Sequence, residues 1–381
     1  MHDRTILGPA DVSNERLASM VLESLGAASL DLLTSHAEVA PYDLDALTTG
    51  GRYWVRGLAR VGRQDVPYAF FVKVVQTWER APQFQFVPEH LRATALELVP
   101  WHTEPRVYLS DLAARLPAGL AMPRTHAVLD IDHESAALWL EAVDARPATW
   151  EVDQLAHAAY LLGRLAASPA VRPLALVGDP AGKRTMRTYA EGRVDNQILP
   201  ALRSDDVWHH PLIAATFDDH LRKDLLAAAD ELPGILDELE TMPLGTSHGD
   251  ACTRNLLVTD ASTDLVLIDY GFWGEAPLGF DLSQLMLGEV QMGERSATCL
   301  PAFEAACVPA YVRGLRDEGC DTPLETVRRA HALSMLLFSG LSAIPLEHLD
   351  SPPTAELQRI ASERATSARF ILDCVAETSA G

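Results

Sequence analysis

SHGDACTRNLLVTDASTDLVLIDYGFWGEAPLGFD, residues 247–281, is the stretch on which the reading of this chain turns. Asn255 opens a short apolar run, Leu256-Leu257-Val258, and Leu265 to Ile268 form a second one. Between them, Thr259 to Asp264 are turn-forming polar residues, so the pattern predicts a hairpin of two short strands. Asn255, entering the first strand, and Asp269, leaving the second, then share the open end. An amide carbonyl and a carboxylate suit a hard cation such as Mg2+, with water and substrate phosphates completing the shell. His248-Gly249-Asp250 lies just before the first strand, so Asp250 projects toward the same end, placed to take a proton from a hydroxyl.

The ordered set carries a resemblance. His248-Gly249-Asp250, four residues, then Asn255 is similar to the H-x-D-x-x-x-x-N catalytic loop of kinases, and Asp269-Tyr270-Gly271 to their D-F-G. With Gly249 where protein kinases usually have Arg, the chain resembles the aminoglycoside phosphotransferase and choline kinase branch. That resemblance implies an α+β, bilobal protein-kinase-like fold, with a small antiparallel β-sheet N-lobe and a mainly helical C-lobe. It implies Asp250 as catalytic base with His248 beside it, Asn255 and Asp269 as Mg2+ ligands, and Asp281 as a buried anchor beneath the loop.

Working back toward the N-terminus, Asn14 to Leu33 has helical apolar spacing at Leu17, Val21, Leu25 and Leu32. Val39–Leu47, Tyr53–Val61 and Tyr68–Val75 read as three strands. The turn Thr48-Thr49-Gly50-Gly51-Arg52 offers backbone N–H groups to phosphates, where the resembled family has its nucleotide loop. Lys73 is the one charge in the apolar run Phe70 to Val75, so it must find an anion or snorkel outward. The family places such a lysine on the nucleotide's α- and β-phosphates and pairs it with a glutamate. Glu104, at the helix start Thr103-Glu104-Pro105, is assigned as that partner, and Glu97 is the competitor. Ala127–Asp130 and Ala137–Val143 complete a sheet, and Glu141 to Val143 correspond to the hinge whose backbone meets adenine. The expected nucleotide lobe is 1–140, and the catalytic and substrate lobe is 141–381.

Asp153 to Ala167 has strong helical spacing, and its His157 reads as an ordinary helix residue. Gly178 to Thr185 is not a phosphate loop, because a Walker motif needs four residues between its glycines and Ser or Thr directly after the lysine. Residues 168–240 are expected to form a helical, substrate-lining insert. Within it Asp205, Asp206, Asp218 and Asp219 flank Trp208. They read either as a pocket for an amine-bearing ligand or as helix caps.

Composition limits the function. A formal net charge of −22 excludes a nucleic-acid partner, whose phosphates would be repelled. The N-terminus has no signal-peptide core and no apolar run is long enough to span a bilayer, so no membrane role and a cytoplasmic location are expected. The five cysteines show no paired spacing and read as free thiols. The resemblance then implies a kinase transferring the γ-phosphoryl group of ATP or GTP, with Mg2+, to a hydroxyl of an antibiotic or other amine-bearing or sugar-like natural product. A metabolic kinase of choline, homoserine or a simple sugar is the alternative, and a non-catalytic nucleotide-binding regulator a third reading. The sequence leaves oligomeric state open.

Overall fold

The structure is a computed structural model that describes residues 2–42, 46–260 and 264–379. Its N-terminal part is a six-stranded sheet in the order His2–Asp3, Asp31–Val39, Thr49–Val61, Gln64–Gln76, Ser135–Glu141, Thr125–Asp132. All neighbouring pairs are antiparallel except the first. Alternation along the strand Gln64–Gln76 decides its two faces. Tyr68, Phe70 and Val72 are buried with Leu17, Met20 and Val21 of the N-terminal helix. Val75 belongs to the other apolar cluster, with Val107, Tyr108 and Leu138. The Nε1–H of Trp139 donates to the carbonyl of Ala10 at 3.0 Å, tying the N-terminal segment onto the sheet.

The N-terminal helix is shorter than the sequence predicts, at Asn14–Leu25 rather than reaching Leu33. Ser13 caps its start by accepting from Arg16 N–H, and Gly26, at φ 61°, ends it in the left-handed region that glycine tolerates. The helical spacing past Gly26 is coincidental, because Asp31–Val39 forms the first long strand of the sheet. That strand replaces the one expected at 39–47, whose residues 43–45 lie outside the described residues.

Beyond the sheet the chain is mainly helical. Val152–Ala167 packs on Leu300–Asp317 so closely that glycines are required on both sides. A Cβ added at Gly163 would lie 2.1 Å from the Tyr311 carbonyl, and one at Gly314 2.1 Å from that of Tyr160. Against this pair rests Phe280–Gln291, and the hairpin of Leu256–Thr259 with Leu265–Leu267, paired from Leu256 opposite Leu267, adds Leu256, Leu265 and Leu267 to the same apolar cluster. The turn residues 261–263 lie outside the described residues. A strand of two residues, Ala145–Arg146, adds to the hairpin just after the sheet ends. No helix among the described residues is long and apolar enough to cross a membrane.

Candidate active site

The loop at 247–255 is built around Asp281, a buried carboxylate in the first turn of Phe280–Gln291. Its oxygens accept from Ser247 Oγ at 2.8 Å, His248 N–H at 2.9 Å and Gly249 N–H at 2.9 Å. Three donors on one carboxylate fix the loop's path. Gly249 has φ 84°, and an added Cβ would sit 2.1 Å from the Phe272 carbonyl, so only glycine fits between the histidine and the aspartate.

His248, grouped with the catalytic residues on sequence, is fully buried. Its Nδ1 accepts from Asp250 N–H at 3.3 Å, so Nε2 carries the proton and donates to the Ile268 carbonyl at 3.0 Å. Both ring nitrogens are therefore engaged with backbone. The ring ties the loop to the hairpin instead of shuttling protons, because no ring nitrogen remains for substrate.

Asp250 is held from the other side. Asn255 Nδ2 donates to its Oδ2 at 3.0 Å and to its carbonyl at 2.9 Å. Burial pushes the Asp250 carboxyl above its ordinary value, with the charge of Asp269 adding to the effect and His248 and Asn255 opposing it. A carboxylate raised in this way is a better base near neutral pH than an exposed one. Since Asn255 spends its amide nitrogen on Asp250, its Oδ1 is left as an oxygen donor.

Asp269 is reached from the hairpin, where Ile268 N–H donates to the Asn255 carbonyl at 3.1 Å, so the two residues share the open end. Among the described residues Asp269 is the one non-glycine with positive φ, at 65°. Such strain persists where surrounding contacts over-determine it, often at functional sites. Lys73 Nζ lies 3.0 Å from Asp269 Oδ1 and 2.6 Å from Glu104 Oε2. Glu97 instead meets Lys183, at 2.9 Å. Burial works to lower the pKa of Lys73, but Asp269 and Glu104 outweigh it and hold it above its usual value. Burial likewise works to raise Asp269, and Lys73 reverses this, so the carboxylate stays ionised.

Oxygen donors from Asn255 and Asp269 fit Mg2+, which keeps waters and takes its remaining ligands from substrate phosphates. Among the described residues no group of three or more His, Cys, Asp or Glu side chains could hold a metal, so a dedicated protein cage is absent there.

Two expectations need correction. Gly50 and Gly51 are not in a turn but open the strand Thr49–Val61, at a bulge opposite Val74 and Val75. Side chains there would strike Gln76 Oε1 at 2.7 Å and the Tyr53 hydroxyl at 2.6 Å. The acidic group at 205–219 is spent on packing. Asp205 pairs with Arg222. Asp218 caps Asp219–Asp230 through Leu221 N–H and meets Arg369, both at 2.8 Å. Asp206 and Asp219 are exposed in first helical turns, where the macrodipole favours acids. Trp208 is buried, with Nε1–H donating to the Leu202 carbonyl. Of the two readings, helix capping is observed for Asp218, while Asp205 is tied to Arg222 and Asp206 and Asp219 stay exposed.

The sequence reading passed over Arg52 and Arg184. Arg52 sits opposite Lys73 across the strand pair, stacks on Tyr42 at 3.7 Å, and reaches within 4.0 Å of Asp269 Oδ2. A signal existed, because the two-residue turn after Val61, with Gly62 at φ 63°, sets the register that pairs Arg52 with Lys73. Arg184, in the run excluded as a phosphate loop, donates to the Trp273 carbonyl at 2.8 Å and the Gly271 carbonyl at 3.5 Å. It thereby braces the segment after Asp269.

Residues 71–318 match the sequence model of the phosphotransferase enzyme family, APH. The chain belongs to this family. As a phosphotransferase it is a small-molecule kinase carrying out ATP-dependent transfer to a hydroxyl acceptor. No curated protein matches it. Among solved structures, an aminoglycoside phosphotransferase from Alicyclobacillus acidocaldarius is similar at 16% identity and TM-score 0.50, over 90% of this chain and 93% of that one. A choline/ethanolamine kinase family protein from Mesorhizobium loti is similar at 14% identity and TM-score 0.47, over 90% and 93%. At such identities the first likeness speaks for the kinase-like fold alone.

Proposed function

We propose that this phosphotransferase moves the γ-phosphoryl group of ATP to a hydroxyl of a sugar-like natural product, an antibiotic among the candidates, with Asp250 as the base. The observation that carries the reading is the meeting of Asp250, Asn255, Asp269 and the Lys73–Glu104 pair at one end of the hairpin. In this reading residues 1–140 bind nucleotide, with Lys73 and Arg52 supplying positive charge to the phosphates. The purine lies along 141–143. There Glu141 is already bonded to Arg124 through both its N–H and its carboxylate, and the Val143 carbonyl accepts from Ala145 N–H. That leaves the N–H groups of Ala142 and Val143 as backbone donors for the base.

Mg2+ held by Asn255 and Asp269 would supply charge neutralisation for the phosphates. The chain's own work is positioning. Asp281 and His248 hold the loop, Asn255 orients the Asp250 carboxylate, and Asp250 takes the acceptor proton as transfer proceeds. The setting in which ATP is available makes the cytoplasm the place of action, and inactivation of an antibiotic is the role proposed.

The test is a coupled assay of the purified chain with Mg-ATP and Mg-GTP against antibiotics, amino alcohols and sugars, with Asp250→Ala as control. Transfer to one class, lost in the variant, supports the proposal. Full activity of Asp250→Ala would remove Asp250 as base, and failure to bind either nucleotide would sink the whole reading.

A further inference from the structure

A cavity of about 470 Å³ in the helical part is lined by four segments of the chain that the sequence keeps far apart. Tyr189, Arg193 and Gln197 come from one, Phe338 and Ser339 from another. Gln284 and Gln291 come from Phe280–Gln291, and Arg364 from the last helix. Two of these walls are π-helical, Ala190–Ile198 and Leu336–Gly340. Such wide turns occur mostly where a helix serves a site. Tyr189 and Phe338 stack at 3.9 Å and 17°, and Phe338 meets Phe280 edge-on at 5.0 Å.

The cavity and the catalytic loop are linked through the helix Phe280–Gln291. Gln284, Gly288 and Gln291 lie along one helix face. Gly288 touches Cys252 of the loop, since a Cβ added there would lie 3.1 Å from the cysteine Cβ. Phe280 immediately precedes the loop's anchor, Asp281. Lining and loop therefore share one helix.

Charge decides what the cavity takes. Its lining has two arginines, Arg193 and Arg364, and a single carboxylate, Glu347. Arg364 already binds Glu347 at 2.6 Å and also donates to the Gln291 carbonyl at 3.1 Å. In a chain of net charge −22, this cavity keeps no free carboxylate for an ammonium group. What it offers is amides and hydroxyls, which serve hydroxyl groups, and a stacked aromatic pair, which serves an apolar ring.

Resting on the kinase reading above, we propose that this cavity receives the acceptor and that the acceptor is a non-cationic glycoside, its apolar portion lying against Tyr189 and Phe338. A hydroxyl of its sugar passes its proton to Asp250 while its oxygen bonds the γ-phosphorus. The bond from that phosphorus to the β,γ-bridging oxygen breaks, leaving ADP and a phosphomonoester.

The test is calorimetric binding to the full-length Asp250→Ala chain, using phenyl β-D-glucoside, phenyl β-D-glucuronide, kanamycin and choline as probes. Both glycosides should bind more tightly than either cation. Adding Phe338→Ala should weaken them by about tenfold, the scale of one lost aromatic contact. Arg193→Glu, at an exposed position, should weaken the glucuronide several-fold more than the glucoside. Tighter binding of kanamycin or choline overturns the proposal. So does failure of both glycosides, or equal glycoside binding with and without Phe338. ATP binding measured on the same samples, and its sensitivity to Lys73→Met, reports separately on the kinase reading. Its loss beside intact glycoside binding strikes that reading and not the cavity's selectivity.

Discussion

The catalytic loop and the cavity are built on opposite principles. Within residues 247–281 the functional side chains are fixed by hydrogen bonds to one another and to the backbone of the same stretch: Asp281 accepts from three donors, His248 accepts from Asp250 N–H and donates to the Ile268 carbonyl, and Asp250 accepts from Asn255. The cavity is assembled from distant segments, its walls meeting through the packing of helices from residue 189 to residue 367 and through Arg364, which ties Glu347 to the Gln291 carbonyl. Charge and backbone geometry thus hold the part that handles phosphate, while tertiary packing shapes the part that holds the acceptor. The first can stay constant while the second is remodelled, because the two share little beyond one helix face.

The sharpest way to break this contrast is Asp250→Ala. With the base removed, turnover should fall by about 10²–10⁴-fold in steady-state assays while ATP affinity holds. In the unmutated chain, kcat/KM should fall with acid along a limb lying above the ordinary carboxylate range, since the base works only when ionised and burial raises its pKa. Next in size is Gly249→Ala, which forces a Cβ against the Phe272 carbonyl and displaces the loop. A shift of about 1 Å at a reacting centre costs on the order of 10²-fold, so kcat should drop by that much with acceptor binding intact. If acceptor binding fell equally, the two parts would not be separable.

His331 tests the floor beneath both. It is buried, its Nδ1–H donates to the Gly279 carbonyl at 3.1 Å, and burial lowers its pKa to about 4. Unfolded histidine titrates near 6.5, so stability from the neutral ring is complete above about 6.5 and is lost as pH falls toward 4. The loss amounts to about 3 kcal/mol, from a shift of about 2.5 pH units. Urea melts at pH 7 and pH 4.5 should show it, and His331→Gln should flatten that slope. The smallest effect belongs to Asp205→Asn, which removes an exposed ion pair with Arg222. It should leave the urea midpoint close to that of the unmutated chain and the acceptor KM unchanged, because exposed ion pairs are weak. A large rise in KM would restore the acidic cluster to the substrate site.

How much the sequence discloses follows the same division. Spacing places Asp250, Asn255 and Asp269 together because a hairpin of short strands has only one open end. Lys73 stands out because a lone charge in an apolar strand needs a partner. Its pairing with Glu104 rather than Glu97 depends on where the helix Thr103–Leu109 docks under the sheet, which local spacing cannot express. Gly50 and Gly51 mislead because glycine marks bulges as readily as turns. Asp205 and Asp218 mislead because their arginine partners, Arg222 and Arg369, lie on other turns of the fold. The cavity is legible on one side only: Tyr189, Arg193 and Gln197 come from the insert expected to line the substrate, but their meeting with Phe338 depends on tertiary packing that local spacing cannot express.

The short strand Ala145–Arg146 has one mechanical consequence. It pairs with Val258 and Thr259, so the chain leaving the sheet is pinned to the catalytic hairpin almost at once. Between the sheet strand ending at Glu141 and that pin, only Ala142, Val143 and Asp144 are free of strand pairing. A second tie stands beside it, since Leu120–Ala121 pairs with Leu265 and Val266 of the same hairpin and the chain re-enters the sheet at Thr125. Two connections that short, 122–124 and 142–144, permit a change of angle and almost no sliding, so nucleotide held by the sheet would approach the acceptor along an arc, from one direction.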